Sequence, residues 1–281
     1  MKKEKGCCES SIEENCCEPA SAESCCQPIE AESVEEAVKR SYGQLWASQL
    51  AHKSASSRKK LASMFRAHRR LLKELKPREG MKVLDIGSGN GETVLTIAEK
   101  VKPNGKAVGV DFSPEGIELS KEKTKERELE DVAEFHLADA VELPFPDNTF
   151  DAVISECVVS LIQDKQRALR EKVRVLKPGG QVIMHDVVTR TTMPKSLREN
   201  RKLYCDCVGG AVSLKEYVEM MKKAGLTNIK TVDFTKGVKK MINLDVVAKA
   251  LNVKDDEAAQ EIVNFARKGG VGYALLVGTK K

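Results

Sequence analysis

The chain has 281 residues, a formal charge of +5 and 4% aromatic residues, long enough to bury one large α/β core without disulfides. Its positive excess is scattered over helix faces such as Lys121, Lys123, Lys125 and Lys222, Lys223; with so few aromatics there is no stacking platform for single strands, so a soluble charged surface is favoured over nucleic-acid binding. No run approaches the roughly 18 to 20 apolar residues of a membrane span, and MKKEKGCC lacks an apolar core before its first cysteine, so the expected address is a reducing cytoplasm without membrane attachment.

Residues 1–33 come first in chain order. They hold few large apolar residues, a dense run of Ser and Glu, and three adjacent cysteine pairs nine residues apart: Cys7 with Cys8, Cys16 with Cys17, and Cys25 with Cys26. Residues 1–30 carry three lysines against seven glutamates. Such a segment cannot repay its ordering entropy and reads as a flexible acidic tail.

Helical patterning begins near Val34 and runs, with Gly43 as a candidate break, through Leu61, Met64, Leu71, Leu72 and Leu75 to Pro77. Strands are then expected at 81–87, 107–112, 133–138, 150–156, 181–187, 228–234 and 272–279. Helices are expected at 91–101, 115–129, 164–175 and 214–223. Ser113 caps a helix with Pro114 at its first position, and Ser213 with Glu216 forms a capping box before a helix that ends at Gly225. Seven strands interleaved with helices predict a doubly wound, mostly parallel, Rossmann-like sheet. The expected division is a tail (1–33), N-terminal helices with a cofactor-binding domain (34–190), and a C-terminal region (191–281) that completes the sheet and carries a charged helical insertion at 245–267.

VLDIGSGNG, from Val83 to Gly91, is a strand running through a glycine loop into a helix, a turn that brings backbone close to a ligand. A dinucleotide fingerprint needs G-x-G-x-x-G, whereas Gly87, Gly89 and Gly91 are spaced G-x-G-x-G. Glu92 in the first helical turn would repel a pyrophosphate, and Asp85 suits a cationic group better than a phosphate. Asp111 ends the second strand, where a carboxylate can accept both ribose hydroxyls. Asp139 ends the third, in reach of an adenine amino group.

Together with LPFPDNTFD (Leu143 to Asp151) and LKPGG (Leu176 to Gly180), this set resembles the class I S-adenosylmethionine methyltransferases over about residues 40 to 235. The resemblance implies that Asp85 with Gly87, Gly89 and Gly91 holds the methionine portion, Asp111 the ribose and Asp139 with Ala140 the adenine, with Ser88, Asn90 and Phe112 as further cofactor-binding positions. Glu156 is a further cofactor candidate.

Cys157 follows the fourth strand in SECVVSL, at the carboxyl ends where open α/β sheets bind ligands. Cys207, with Cys205 two residues earlier, lies in YCDCVGGAVSL, a loop after the fifth strand whose glycines permit a tight cover. Either cysteine alone reads as a small buried hydrophobe. S-x-C-V-x-x-L followed about fifty residues later by C-V-G-G-A resembles the arsenite methyltransferases, and SYG (Ser41 to Gly43) is similar to that family's Tyr-Gly. That resemblance implies arsenite as substrate, Cys157 and Cys207 as arsenic ligands, Tyr42 near the transferred methyl, and a thiol reductant such as thioredoxin or a low-molecular-weight thiol. Many members have a third arsenic-binding cysteine before the glycine loop. This chain has none between Cys26 and Cys157, and Glu156 stands where Asn is common.

Arsenic(III) is soft, prefers thiolates and keeps a lone pair on its open face, so a methyl aligned with it transfers without a general base. His185 is a candidate proton acceptor, with a hydrogen-bonded strand-end histidine as the favoured reading. Cys205 is either a third thiol or a spectator. The tail pairs suit arsenite capture or electron return at high effective concentration, or a zinc or copper sink. Two rival readings stay open: a C-, O- or N-methyltransferase of a small molecule such as a quinone precursor, and a metal-binding sensor using the fold as scaffold.

Overall fold

The computed structural model describes residues 33–51, 68–234 and 257–281. The six tail cysteines expected to capture arsenite, Cys7, Cys8, Cys16, Cys17, Cys25 and Cys26, lie outside the described residues, as does the first part of the expected insertion. All described residues belong to one compact unit, Ser33–Lys281.

The short apolar runs become inner strands because both of their faces are covered. β1 (Lys82–Ile86) is buried at every position after the first, and β2 (Lys106–Asp111) from its second residue onward. Parallel pairing joins β1 to β2 and to β4 (Phe150–Glu156), β2 to β3 (Ala133–Leu137), and β4 to β5 (Leu176–Thr189). β8 (Val271–Lys280) runs antiparallel between β5 and β7 (Leu226–Asp233), while the two-residue β6 (Val212–Ser213) pairs with the end of β5. The order is β3-β2-β1-β4-β5-β8-β7, the doubly wound sheet expected from the sequence with β6 added. From β1 the chain builds outward in both directions, so a crevice opens at the carboxyl ends beside it.

Helices cover both faces. α2 (Glu92–Val101) turns Val94, Leu95, Ile97, Ala98 and Val101 onto one face, and α4 (Lys165–Val175) turns Leu169 and Val173 onto the other. Each large apolar side chain so buried contributes about 1.5–3 kcal/mol. α3 (Pro114–Glu126) starts as its sequence dictates, with Ser113 Oγ accepting from Gly116 N at 3.3 Å. After β5 come two short helices, α5 (Lys195–Arg198) and α6 (Arg201–Cys205). α7 (Leu214–Lys223) carries the reciprocal Ser213–Glu216 box, and Gly225 follows it at φ +97°.

α1 (Val34–Ala51) runs unbroken through Gly43, a correction to the sequence reading. Glycine weakens a helix by about 1 kcal/mol relative to alanine, but here the missing Cβ admits Glu115, whose Oε2 lies 3.1 Å from where that Cβ would stand. Val38, Tyr42 and Trp46, spaced i, i+4, form the inward stripe of α1, which lies against α3 and α6. Of the expected insertion, α8 (Glu257–Arg267) is described. Its Ile262, Val263 and Phe265 pack in the same apolar cluster as Cys207.

Candidate active site

The glycine loop is shaped by three left-handed residues, Gly87, Gly89 and Gly91, at φ +74°, +52° and +78°. Gly87 N and Ser88 N both donate to Val110 O, at 2.8 and 3.0 Å, which ties the loop to the end of β2. Asp111 ends that strand with both carboxylate oxygens engaged: Oδ2 accepts from Gly89 N at 2.8 Å and Oδ1 from Ser113 N at 2.9 Å. Burial raises the proton affinity of this carboxyl. Glu92, the acid that disfavours a pyrophosphate, faces Lys123 at 2.8 Å and Arg127 at 2.6 Å. Asp85 is buried on β1, and its proton affinity is raised by burial and by the nearby Glu156 carboxylate, against the pull of Lys172.

Phe112 continues from Asp111 and meets the Tyr42 ring edge-on at 6.5 Å. Asp139 lies two residues beyond the end of β3 rather than at it, exposed, with Oδ1 accepting from Val141 N at 3.0 Å; Ala140 beside it is half-buried. Ala138 N donates to Asp111 O at 3.0 Å, so this turn borders the end of β2. Asn90 Nδ2 reaches Gln49 Oε1 of α1 at 3.3 Å.

The two cysteines far apart in sequence meet. The Cys157 and Cys207 thiols share a hydrogen-bonding contact, and Cys207 Sγ also lies 3.4 Å from Cys157 O. Both adopt left-handed backbone, φ +54° and +67°, a conformation that costs a non-glycine residue about 1–3 kcal/mol and persists only where the surroundings enforce it. Those surroundings are visible. Cys157 N donates to His185 O at 2.9 Å, Cys207 N to Tyr204 O at 3.0 Å, and Val159 N and Ser160 N to Asp186 Oδ2 at 2.9 and 3.4 Å. Gly210 lets the Cys207 loop close down, because a Cβ there would collide with Ser160 O and stand 2.8 Å from the Tyr204 ring. The Cys207 thiol beside it, together with burial, keeps the Cys157 thiol well above its ordinary range.

Tyr42 joins the two half-sites. Its hydroxyl lies 3.6 Å from Cys207 Sγ while its ring meets Phe112. Cys205 ends α6, half-buried. Glu156 ends β4 directly before Cys157, and burial raises its carboxyl to about 7. Among the described residues no three His, Cys, Asp or Glu side chains cluster as a metal site. His185 corrects the sequence reading: neither ring nitrogen has a hydrogen-bond partner. The ring instead stacks on Tyr273 at 5.4 Å, and burial together with the Arg70 charge lowers it to about 4.

Four residues escape the sequence reading. Trp46, the only tryptophan, packs against the glycine loop, with a ring carbon 2.7 Å from where a Gly89 Cβ would stand and a buried, unpartnered Nε1. The i, i+4 spacing from Tyr42 is the available signal. Asp186 shows in the sequence only as part of a strand end. Tyr273 comes from the last strand and lies against Cys157. Lys172 is a lysine on the apolar face of α4.

A family profile described as a methyltransferase domain matches residues 77–225. An arsenite methyltransferase of Halobacterium salinarum is 38% identical over 146 residues, 52% of this chain and 37% of that protein. Another, of Aquipseudomonas alcaligenes, is 32% identical over 55% of this chain and 46% of its own length. The chain thus spans less than half the length of these two relatives. A demethylmenaquinone methyltransferase of Staphylococcus aureus is 32% identical over 62% of this chain and 79% of that protein. Among solved structures, an arsenic(III) S-adenosylmethionine methyltransferase from Chlamydomonas reinhardtii aligns over 73% of this chain and 65% of its own, with TM-score 0.55 and 25% identity. A geranyl diphosphate C-methyltransferase from Streptomyces coelicolor aligns over 89% and 99%, with TM-score 0.67 and 16% identity, a likeness of fold.

Proposed function

The chain belongs to the methyltransferase-domain family, and from that premise we propose that it transfers a methyl group from S-adenosylmethionine to thiol-bound trivalent arsenic. The observation that carries the proposal is the meeting of Cys157 and Cys207 at the carboxyl end of the sheet, one tyrosine away from Phe112, which follows the Asp111 carboxylate that anchors the glycine loop.

The residues present fit the donor. Asp111 is a fixed, buried carboxylate suited to a ribose, Gly87 and Gly89 take the left-handed turns that bring the loop backbone close to a ligand, and the Trp46 ring packs against Gly89. Asp85 offers a buried carboxyl toward a cationic amino acid head, whose charge would favour its ionised form. When bound, S-adenosylmethionine supplies an electrophilic methyl on sulfonium and departs as the neutral thioether.

On the acceptor side, arsenite condenses with the two thiols. Two As–S bonds replace two As–O bonds, and the thiol protons leave with the hydroxides as two waters. The high proton affinity of Cys157 makes this exchange the step that delivers the thiol proton. The left-handed turns at both cysteines fix the sulfurs before arsenic arrives, which spares the ordering cost on binding. Methyl transfer raises arsenic from +3 to +5, and two electrons from a thiol reductant return it to +3 with formation of one disulfide. Such a cycle belongs in a reducing compartment. Among the described residues no helix is long and apolar enough to cross a membrane.

One observation favours a second reading, methylation of a quinone precursor: the match to a demethylmenaquinone methyltransferase covers most of that protein. Incubating the purified chain with S-adenosylmethionine, a thiol and either arsenite or a demethylquinol separates the two. The first reading expects methylated arsenic from the wild type and a yield lower by about 100-fold or more from Cys157→Ser or Cys207→Ser. Methylated quinol, with activity unchanged in both variants, would replace it by the second.

A further inference from the structure

α4 reads KQRALREKVRV, and its inward face is set by Ala168, Leu169 and Val173, all buried. The same periodicity brings Lys172 inward, three residues after Leu169, where an apolar side chain belongs. Lys172 is 0% exposed, and its Nζ has no hydrogen-bond partner. A lone buried ammonium is strongly disfavoured, so a lysine kept there needs negative charge close by.

That charge is on the facing strand. Met184, Asp186 and Val188 alternate onto one face of β5, and Met184 and Val188 belong to the same core cluster as Leu169, Val173 and Tyr217. Asp186 therefore projects into the layer that holds Lys172. It is fully buried, and its two oxygens accept from three backbone amides: Val187 N at 2.8 Å, Val159 N at 2.9 Å and Ser160 N at 3.4 Å. The last two belong to the 3-10 turn Val159–Leu161 directly after Cys157. Val158, between the cysteine and that turn, packs its side chain against Gly87 of the donor loop. One short turn thus forms a wall of both half-sites, and one carboxylate holds it.

We propose that Lys172 is a positioning residue: its buried ammonium keeps Asp186 ionised, and through Asp186 it fixes the turn that carries Cys157. Other charged or titratable groups face Asp186 from every side. These are Lys165 on α4, Glu156 on β4, Tyr217 on α7, Tyr273 on β8 and the Cys157 thiol. Lys165 spends its ammonium on Ile162 O, within hydrogen-bonding distance, and on Ser160 O at 3.5 Å. Lys172 is the cation among them with no such partner, and Asp85 is the second carboxylate its charge reaches. Without Lys172, Asp186 takes up a proton, its grip on Val159 N and Ser160 N weakens, and the left-handed Cys157 relaxes.

The test reads Cys157 directly and does not depend on which substrate is methylated. The full chain is treated with limiting iodoacetamide at pH 7, and alkylation of Cys157 and Cys205 is followed in the same digest by mass spectrometry. In Lys172→Met the Cys157 rate should rise about fivefold or more while Cys205 changes less than about twofold. Asp186→Asn should accelerate Cys157 as well, and the double variant should react no faster than Asp186→Asn alone, since the two residues act in series. Lys172→Gln, neutral but polar, carries the same comparison should Lys172→Met not yield folded protein. Cys157 reacting at the wild-type rate, Cys205 accelerating in step with it, or multiplied effects in the double variant would each overturn the proposal.

Discussion

The two halves of the site are built in different ways. The proposed donor half is built on local turns: Gly87 to Gly91 follow β1 directly, and Asp111 anchors both the loop through Gly89 N and its own helix cap through Ser113 N. The proposed acceptor half joins residues fifty positions apart, Cys157 after β4 and Cys207 after α6, both in left-handed backbone, the first tied to His185 O of β5 and the second to Tyr204 O in the turn that leaves α6. Local turn chemistry makes the first robust to change elsewhere. The second depends on Asp186, Gly210 and the apolar cluster of α8, so distant substitutions should damage it selectively.

The largest expected effect breaks the acceptor half alone. Cys157→Ser or Cys207→Ser should lower arsenite methylation by about 100-fold or more, the loss expected when a group that holds the reacting atom is removed. Donor affinity, read from quenching of Trp46 fluorescence, should stay within about threefold, because the loop is tied down by Val110 O and Asp111 rather than by a thiol. Equal loss of both would erase the distinction.

Gly210→Ala sharpens it next. A Cβ there meets Ser160 O and the Tyr204 ring, so the Cys207 loop must lift. Turnover should fall by about tenfold with donor affinity again preserved, the effect of a small misplacement of reacting groups. On the donor side, Asp111→Asn replaces one acceptor oxygen by an amide facing a backbone N–H. The donor KM should rise by about tenfold, equivalent to about 1.4 kcal/mol, with little change in arsenite KM.

A smaller effect concerns stability. His185 titrates near 4 in the folded chain, against an ordinary value of 6.5. As pH falls from 6.5 toward 4 the unfolded chain takes up this proton and the folded chain does not, so stability present above 6.5 is lost across that window. Urea denaturation should show roughly 2 kcal/mol of this loss between pH 7 and 5, and His185→Phe should flatten it. The smallest effect is expected from deleting residues 1–30, which removes all six tail thiols: a rise of a few-fold in the arsenite needed for half-maximal rate, set by lost effective concentration.

The glycine loop was legible in the sequence because spacing carries its physics. Three alternate glycines after an apolar strand, and an acid at the end of the next strand, specify a tight loop and a strand-end carboxylate without reference to the rest of the chain. Asp139 was off by two residues because β3 ends at Leu137 and the turn beyond it takes the acid. The sequence singled out Cys157 and Cys207, which the fold brings together, but not what holds them. Lys172 and Asp186 are single letters in helix and strand patterns, and only the packed sheet brings them into one layer. Gly43 misled because propensity marks a break where tertiary contact with Glu115 calls for a bare helix face. His185 misled because aromatic stacking, not hydrogen bonding, occupies its ring.

The central claim is that Cys157 and Cys207 together hold one arsenic atom beside the donor loop. A trivalent aryl arsenical forms two As–S bonds, so after treatment of the full chain and proteolysis, mass spectrometry reports which thiol pairs it bridges. The account predicts a bridged peptide pair containing Cys157 and Cys207 that disappears in either serine variant. Arsenic found only on the tail pairs, with Cys157 and Cys207 unmodified, would contradict it.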